Sequence, residues 1–207
     1  VDGRQALTFD GVNDYVSSGL AVDNSGGFSV SFWQRFNAYT SAYPGPIMIK
    51  MTASGGDPFV MFWANIAGYN GLNFGSGSYF ERLHSNTTAA VGTWQHVVLV
   101  SSGNGSAVGH FTVYVNGVAT TLSASGGYAG LPNQTVIGWN SIGNSYFDGL
   151  MDDTRIYNRA LTSAEIRLLA TRPGIAYELA PRKSYFLPPT ASTRQYKLLR
   201  PSILRGA

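Results

Sequence analysis

The sequence predicts an all-β protein, a two-sheet antiparallel sandwich with one short helix near its end. Charged residues make up only 12% of the 207 residues, aromatics make up 13%, and Gly numbers 25, which is typical of short strands joined by tight turns. About ten short apolar runs are separated by stretches rich in turn-forming residues. A single late segment changes to a helical pattern, and the length suits one sizeable core.

The first strands flank a turn. Residues 6–9 and 15–16 are short strand pieces on either side of the turn at 10–14, where Gly11 and Asn13 tolerate a positive φ. Phe28–Phe36 opens by alternating apolar and polar residues, which predicts a half-buried strand. Its two faces are Phe28, Val30 and Phe32 on one side and Ser29, Ser31 and Trp33 on the other.

The later strands follow from apolar runs between turns. Ile47–Met51 and 59–63 predict strands, whereas 68–86 is rich in Gly, Asn, Ser and Tyr and predicts loops with short edge strands. Residues 93–101 form a continuous apolar strand of the core. Asn116-Gly117 predicts a type I′ hairpin between strands at 109–117 and 118–122. Residues 135–139 and 147–157 complete the set.

A helix is predicted directly after the last strand. Thr162 is suited to the N-cap position, and Glu165 completes a capping box three residues later. Leu161 and Ile166 occupy the two positions of a hydrophobic staple. One or two helical turns should end before Pro173.

The charge distribution divides the chain into a sandwich at 1–171 and a basic, Pro-rich extended arm at 172–207. The first part holds seven Lys/Arg against ten Asp/Glu, a charge of −3, and the second holds seven against Glu178 alone, a charge of +6. Because aromatic and apolar residues interrupt the basic ones, the arm is expected to bind protein partners in a large assembly, or neighbouring copies, rather than nucleic acid. The residues predicted to make these contacts are Arg182, Lys183, Tyr185, Phe186, Arg194, Lys197, Arg200 and Arg205.

Two kinds of structure are excluded by the sequence itself. The chain contains no cysteine, which rules out a disulfide framework and any thiolate metal site or nucleophile. No run of about 18 apolar residues is present, so no membrane span is predicted.

Several segments together resemble a laminin G-like domain of the concanavalin A-like lectin/glucanase superfamily. They are ALTFDGVNDYV at 6–16, FSVSFW at 28–33, TWQHV at 93–97, VYVNG at 113–117 and FDGLMDDTRIYNRAL at 147–161, followed by the capped helix start. These pieces occur in the right order over most of 1–171. The resemblance implies a jelly-roll sandwich of the concanavalin A-like type, usually a binding or structural module, although fold alone does not settle function.

An enzyme is not predicted. Glycosidases that resemble this fold use closely spaced carboxylates, whereas Glu81, Glu165 and Glu178 each lack an acidic partner at strand spacing. Asp148, Asp152 and Asp153 are close together but belong to the closing motif shared with non-catalytic relatives. No nucleophile-elbow sequence accompanies any histidine, and His96 is expected to be a hydrogen-bonded residue of the sheet.

A structural calcium ion is implied by the resemblance. It would be held by Asp10 and Gly11 in the first turn and by Asp152 in the last strand, with Asp14 and Asp153 as further ligands. In the alternative interpretation these carboxylates cap turns through backbone N–H groups, or one of them pairs with Arg155.

Exposed aromatics beside polar loops point to carbohydrate, because sugar faces stack on rings while hydroxyls bind amides and carboxylates. The candidates are Tyr69, Tyr79, Trp139 and Tyr146, with Tyr39 and Tyr43 in similar loop sequence. The alternative is that these rings cover sheet edges.

Two functions remain open from the sequence. The first is a non-enzymatic virion structural protein, a displayed sandwich anchored by its arm, because basic arms of this kind resemble those of phage decoration or tail-associated proteins. The second is a secreted or surface calcium-dependent carbohydrate-binding module. The corresponding locations are the virion or an extracellular surface.

Overall fold

The computed structural model describes residues 6–18, 26–38, 47–51, 59–64, 71–76, 82–85, 87, 90–103, 110–124, 132–140 and 145–172. Within these residues the chain forms fifteen strands and one helix. The strands are β1 (Leu7–Asp10), β2 (Val16–Ser18), β3 (Phe28–Phe36), β4 (Ile47–Met51), β5 (Phe59–Ala64), β6 (Gly71–Ser76), β7 (Arg82–Ser85), β8 (Trp94–Ser101), β9 (Phe111–Val115), β10 (Val118–Ala119), β11 (Leu122–Ala124), β12 (Pro132–Ile137), β13 (Trp139–Asn140), β14 (Ser145–Tyr146) and β15 (Asp148–Tyr157). The helix is α1 (Ser163–Thr171), too short to cross a membrane, and the described residues contain no helix that could do so.

The strands build two sheets and a small ribbon. One sheet has the order β1-β15-β3-β8-β9-β10, the other has the order β11-β7-β6-β5-β4-β12-β2, and β13 pairs with β14. Between the sheets lies an apolar core in which Phe28, Phe32, Phe36 and Phe147 are fully buried and Leu72 joins from the second sheet. The predicted all-β sandwich of two antiparallel sheets is therefore confirmed.

Helix α1 packs on the outer face of the six-stranded sheet. Its apolar residues Ile166 and Leu169, with Leu161, contact Val98 and Val100 of β8. The Thr162 hydroxyl accepts from the Glu165 N–H at 3.3 Å and the Glu165 carboxylate accepts from the Thr162 N–H at 2.9 Å, so the predicted capping box is confirmed.

Strand β3 differs from its prediction because this outer layer covers it. Ser29 and Ser31, expected on a solvated face, are 0% and 2% exposed. The Ser29 hydroxyl donates to the Arg159 carbonyl and accepts from the Leu161 N–H, both at 2.9 Å, so it fixes the connection that leads into α1. From Phe28 to Phe32 the strand is thus buried on both faces rather than half-buried.

Two further strand predictions are corrected by the pairing. Strands β6 and β7 lie inside the seven-stranded sheet, between β5 and β11, instead of forming edges at 68–86. The predicted returning strand at 118–122 is split, since β10 pairs with β9 whereas β11 pairs with β7 in the other sheet. The Thr120 N–H and hydroxyl both bind the Val113 carbonyl, at 2.8 and 3.2 Å, and this is where the ladder with β9 ends.

The chain changes sheets at both edges of the sandwich. Strands β1 and β2 are edge strands of different sheets, as are β10 and β11. Beside the first of these edges, the ribbon β13–β14 connects β12, the neighbour of β2, to β15, the neighbour of β1. The N-terminal turn and the ribbon therefore cross from sheet to sheet at the same edge.

Candidate functional site

The turn after β1 is stabilised by its own carboxylates. Asp10 Oδ1 accepts hydrogen bonds from the backbone N–H groups of Val12 at 2.8 Å and Asn13 at 3.4 Å. Asp14 Oδ2 accepts from the N–H of Asp10 at 3.0 Å. Gly11 has a φ of 77°, a conformation that glycine adopts most easily. The local sequence therefore determines the turn, because aspartate side chains stabilise turns by accepting hydrogen bonds from nearby backbone N–H groups.

The ribbon beside this turn carries two aromatic side chains. Strands β13 and β14 place Trp139 directly opposite Tyr146, so both side chains lie on the same face of the ribbon. Gly138, just before β13, accepts a hydrogen bond on its carbonyl from the N–H of Phe147 at 2.9 Å. This bond closes the base of the ribbon.

The turn and the ribbon meet at Gly138. A Cβ at this position would overlap the ring of Phe9 and lie 3.1 Å from the carbonyl oxygen of Asp14, so glycine permits this close approach. Next to the contact, the rings of Tyr15 and Trp139 have centroids 6.3 Å apart and are inclined by 44°. Tyr15 is 58% exposed. We call the side chains of Tyr15, Trp139 and Tyr146 the aromatic rim.

The strand register corrects one predicted metal ligand. It places Asp148 opposite Asp10, while Asp152 lies further along β15, opposite Trp33. At about 3.3 Å per residue, Asp152 is roughly 13 Å from Asp148 along the strand. Asp148 is in turn fixed by Asn37, whose N–H and Nδ2 donate to its carbonyl and to its Oδ1, each at 3.0 Å. Asp152 is therefore not beside the first turn. Asp148 occupies the position that was predicted for Asp152.

The fit of the turn to calcium depends on backbone oxygens. Within the described part of the chain, no group of three or more acidic or histidine side chains is arranged to hold a metal ion. Asp10 and Asp14 each use one carboxylate oxygen to accept a backbone N–H, as the turn-capping alternative expects. Calcium also binds carbonyl oxygens and water, so the turn at 10–14 would have to supply such ligands. A calcium site here stays a prediction.

The other two aspartates of the closing motif make local contacts. Asp152 Oδ1 accepts from the N–H of Asp153 at 2.7 Å, and Asp153 has a positive φ of 52° where β15 bulges. The Asp153 carboxylate forms an ion pair with Arg155, whose Nε donates to Oδ1 at 2.6 Å. The predicted alternative of a pairing with Arg155 is confirmed for Asp153.

A serine–histidine contact on the outer face is structural. Ser31 Oγ and His96 Nε2 are 2.9 Å apart, and the two residues are only 2% and 1% exposed. Burial lowers the pKa of His96 from 6.5 to about 4, and its Nδ1 has no hydrogen-bond partner. A catalytic triad needs a reachable serine and an acid bonded to the other ring nitrogen. This pair has neither, and His96 is the hydrogen-bonded sheet residue that the sequence predicts.

Glu165 is likewise engaged in the helix cap. Arg159 donates from Nη1 and Nη2 to its two carboxylate oxygens at 3.0 and 2.7 Å. The hydrogen bond from Arg159, with the one from the Thr162 N–H, lowers the pKa of Glu165 to about 2. A general acid requires a raised pKa, so this glutamate is unsuited to acid catalysis.

A groove of about 390 Å³ lies at the opposite edge of the sandwich, where the chain passes from β10 to β11. It is lined by Thr87, Val115, Val118, Ala119, Thr120 and Thr121. This lining offers hydroxyl groups but no ring on which a sugar could stack. The aromatic rim is therefore the better candidate for a binding site.

Several predicted contact residues lie outside the described residues. They are Tyr39, Tyr43, Tyr69 and Tyr79, and the arm residues Arg182, Lys183, Tyr185, Phe186, Arg194, Lys197, Arg200 and Arg205. Trp139 and Tyr146 of the predicted glycan-binding set are described and come together. Tyr15 was not predicted, although its place directly after Asp14 in an exposed turn was a usable signal.

One family model matches the sequence over most of the described structure. The laminin G-type family model described as the concanavalin A-like lectin/glucanases superfamily matches residues 10–167, from the first turn into α1. No curated protein matches the sequence significantly.

Solved structures of similar fold come from diverse proteins. The native heptameric SAP-like pentraxin of Limulus polyphemus aligns with a TM-score of 0.54 and 18% identity, over 79% of this chain and 80% of that chain. Trypanosoma rangeli sialidase in complex with the inhibitor DANA aligns at 0.58 and 17%, over 80% and 27%. A proposed carbohydrate binding protein from Bacteroides ovatus ATCC 8483 aligns at 0.56 and 15%, over 77% and 45%. The chain spans less than half of the last two proteins, and at these identities the likeness establishes the fold.

Proposed function

The chain belongs to the concanavalin A-like lectin/glucanase superfamily, and from this premise we propose that it is a non-enzymatic carbohydrate-binding module. The observation that carries the proposal is the aromatic rim, in which the Tyr15 and Trp139 rings lie 6.3 Å apart and Tyr146 stands opposite Trp139. Sugar rings stack on such surfaces through their C–H faces, while nearby carboxylates and amides bind hydroxyls.

The position of the aromatic rim favours ligand binding over a purely structural role. Tyr15 is 58% exposed although its ring lies beside that of Trp139, whereas the phenylalanines of the core are fully buried. The backbone next to both rings is closely packed, since Gly138 lies against the Phe9 ring and the Asp14 carbonyl oxygen, and its own carbonyl accepts from the Phe147 N–H. A preformed platform of this kind loses little conformational freedom when a ligand binds.

Glycan-array binding of the wild-type chain and of the Tyr15→Ala and Trp139→Ala variants tests the proposal. Each truncation should weaken binding about three- to tenfold, the value of an aromatic contact. Trp94→Ala is the matched control, because it removes the same side chain from the start of β8, away from the rim. A wild-type chain that binds no glycan, or variants that bind as well as wild type, would contradict the proposal.

We also propose a structural calcium ion at the first turn, held by Asp10, Gly11 and Asp14, with Asp148 in place of Asp152. Support comes from the register, which brings Asp148 opposite Asp10, and from the Asp14 carboxylate, which lies within the same turn and accepts a hydrogen bond from the Asp10 N–H. EDTA should lower the melting temperature, and Asp14→Asn should remove that effect while keeping an acceptor for the Asp10 N–H. An unchanged melt in EDTA would eliminate the site.

A second candidate function is that of a virion structural protein, a sandwich displayed outward and anchored by the basic arm at 172–207. The charge asymmetry, −3 before residue 172 and +6 from there on, favours it, because a basic segment can dock on an acidic partner. The neighbouring subunits of a shell would then be its partners, and the virion rather than another extracellular surface its location. Deletion of 172–207 should abolish particle association while the sandwich still folds; a truncated chain that keeps its partners argues against this role.

A further inference from the structure

The charges around the aromatic rim bear on which sugars it accepts. Asp14 immediately precedes Tyr15, and its carbonyl oxygen faces Gly138, the residue before Trp139. The Asp10 N–H donates a hydrogen bond of 3.0 Å to the Asp14 carboxylate, and Asp10 lies opposite Asp148 in the strand register. Three carboxylates therefore lie at the same edge of the sandwich as the aromatic rim.

No described cation forms an ion pair with these three carboxylates. The ion pairs found among the described residues are Arg155–Asp153 on the outer face and Arg159–Glu165 at the start of α1. Arg35, on β3 near Asn37, points its Nε to the Gly92 carbonyl at 3.1 Å. The amide of Asn37 binds Asp148, but an amide donor leaves the negative charge in place. The described surroundings of the aromatic rim are thus net negative.

We infer that the aromatic rim of the calcium-free chain selects uncharged glycans and discriminates against sialylated or sulfated ones, an inference that rests on the proposed carbohydrate-binding function and is independent of the proposed calcium site, because a bound calcium ion would offset these charges. A sugar stacked on Tyr15 and Trp139 would lie beside the turn that carries Asp14, the residue before Tyr15. Hydroxyl groups donate hydrogen bonds to carboxylates, so an uncharged sugar gains from this neighbourhood. A carboxylate or sulfate ester on the same sugar is repelled by the aspartates. In water, three charges at about 10 Å weaken its binding on the order of fivefold at low ionic strength.

The charge effect is separable from the stacking effect by isosteric variants. Asp14→Asn and Asp148→Asn each keep the oxygen that accepts the observed hydrogen bond, from the Asp10 N–H and from Asn37 Nδ2 respectively, and each removes one negative charge. Asp152→Asn is the matched control. It changes the net charge equally and also keeps its acceptor for Asp153, but lies roughly 13 Å further along β15.

The experiment measures binding of matched probes in buffer without divalent cations: an uncharged oligosaccharide and the same oligosaccharide carrying a terminal sialic acid or a sulfate. The wild-type chain should bind the uncharged probe about fivefold more tightly at low salt, and about 0.5 M NaCl should shrink this ratio through screening. The double variant Asp14→Asn/Asp148→Asn should shrink it as well, whereas Asp152→Asn should not.

The outcomes separate the two proposals. Equal or tighter binding of the anionic probe by the wild-type chain would overturn the charge argument while leaving the carbohydrate-binding function intact. A preference for the uncharged probe that neither salt nor the double variant changes would overturn it too, since the selectivity would then have a steric origin. Binding of neither probe, together with an empty glycan array, would overturn the proposed function and this inference with it.

Discussion

Replacement of Gly138 by alanine tests the junction on which the aromatic rim depends. The φ of Gly138 is +88°, and an added Cβ would overlap the Phe9 ring and lie 3.1 Å from the Asp14 carbonyl oxygen. The left-handed conformation costs a residue with a Cβ about 1 kcal/mol. Overpacking against a core ring costs about 1–3 kcal/mol more. The free energy of unfolding should therefore fall by about 2–4 kcal/mol.

Two other glycines divide this loss into its parts. Gly92 has a φ of +72° but nothing within 4 Å of an added Cβ, so Gly92→Ala should lose only the conformational part. Gly26 has no such φ and equally open surroundings, so Gly26→Ala should be nearly neutral. Urea unfolding of the three variants gives the differences in their free energy of unfolding directly, provided that the m-value is unchanged.

The role of Phe9 in this loss is measured by a double-mutant cycle. Phe9→Leu removes the ring edge that the new methyl group would meet, so the double variant should be less destabilised than the sum of the two single variants, by about 1–2 kcal/mol. A Gly138→Ala protein as stable as Gly92→Ala, or strictly additive changes, would show that the turn and the ribbon are not in close contact. The description of the aromatic rim as a preformed platform would then fail.

Three further predictions concern the outer face. Ser29→Ala leaves the buried Leu161 N–H without its acceptor and should cost about 1–3 kcal/mol of unfolding free energy, whereas the exposed Ser102→Ala should cost little; equal losses would contradict the bridging role of Ser29. Thr162→Ala removes the helix N-cap and should cost about 1 kcal/mol, measured by thermal unfolding, with a neutral result arguing against the capping box. Burial lowers the pKa of His96 from 6.5 to about 4. The contribution of neutral His96 to the free energy of unfolding is therefore fully present above pH 6.5 and is lost as the pH falls towards 4. This loss amounts to roughly 3 kcal/mol in denaturant unfolding, and His96→Gln should flatten the pH profile; an unchanged profile would refute the assignment.

The sequence was enough to predict those elements whose hydrogen bonds join residues only a few positions apart. The capping box of Thr162 and Glu165 involves residues three apart, and the turn at 10–14 is bonded within itself. Alternation in β3 placed Phe28 and Phe32 in the core correctly, because the period of a strand fixes which residues share a face. The same alternation could not show that Ser29 and Ser31 would be buried, since the layer that covers them comes from distant parts of the chain.

The sequence alone thus determined the sandwich, its capped helix and two members of the aromatic rim, because turn chemistry and periodicity act over a few residues. Only the tertiary structure decided which residues from distant segments lie next to each other. Strand register put Asp148 rather than Asp152 opposite Asp10, and the crossing of two segments at one edge brought Tyr15 to Trp139. A one-residue change of register moves every side chain to the other face, and that register is set by the packing of the whole core. The binding candidate is therefore a property of the closed sandwich, assembled from residues that no local pattern connects.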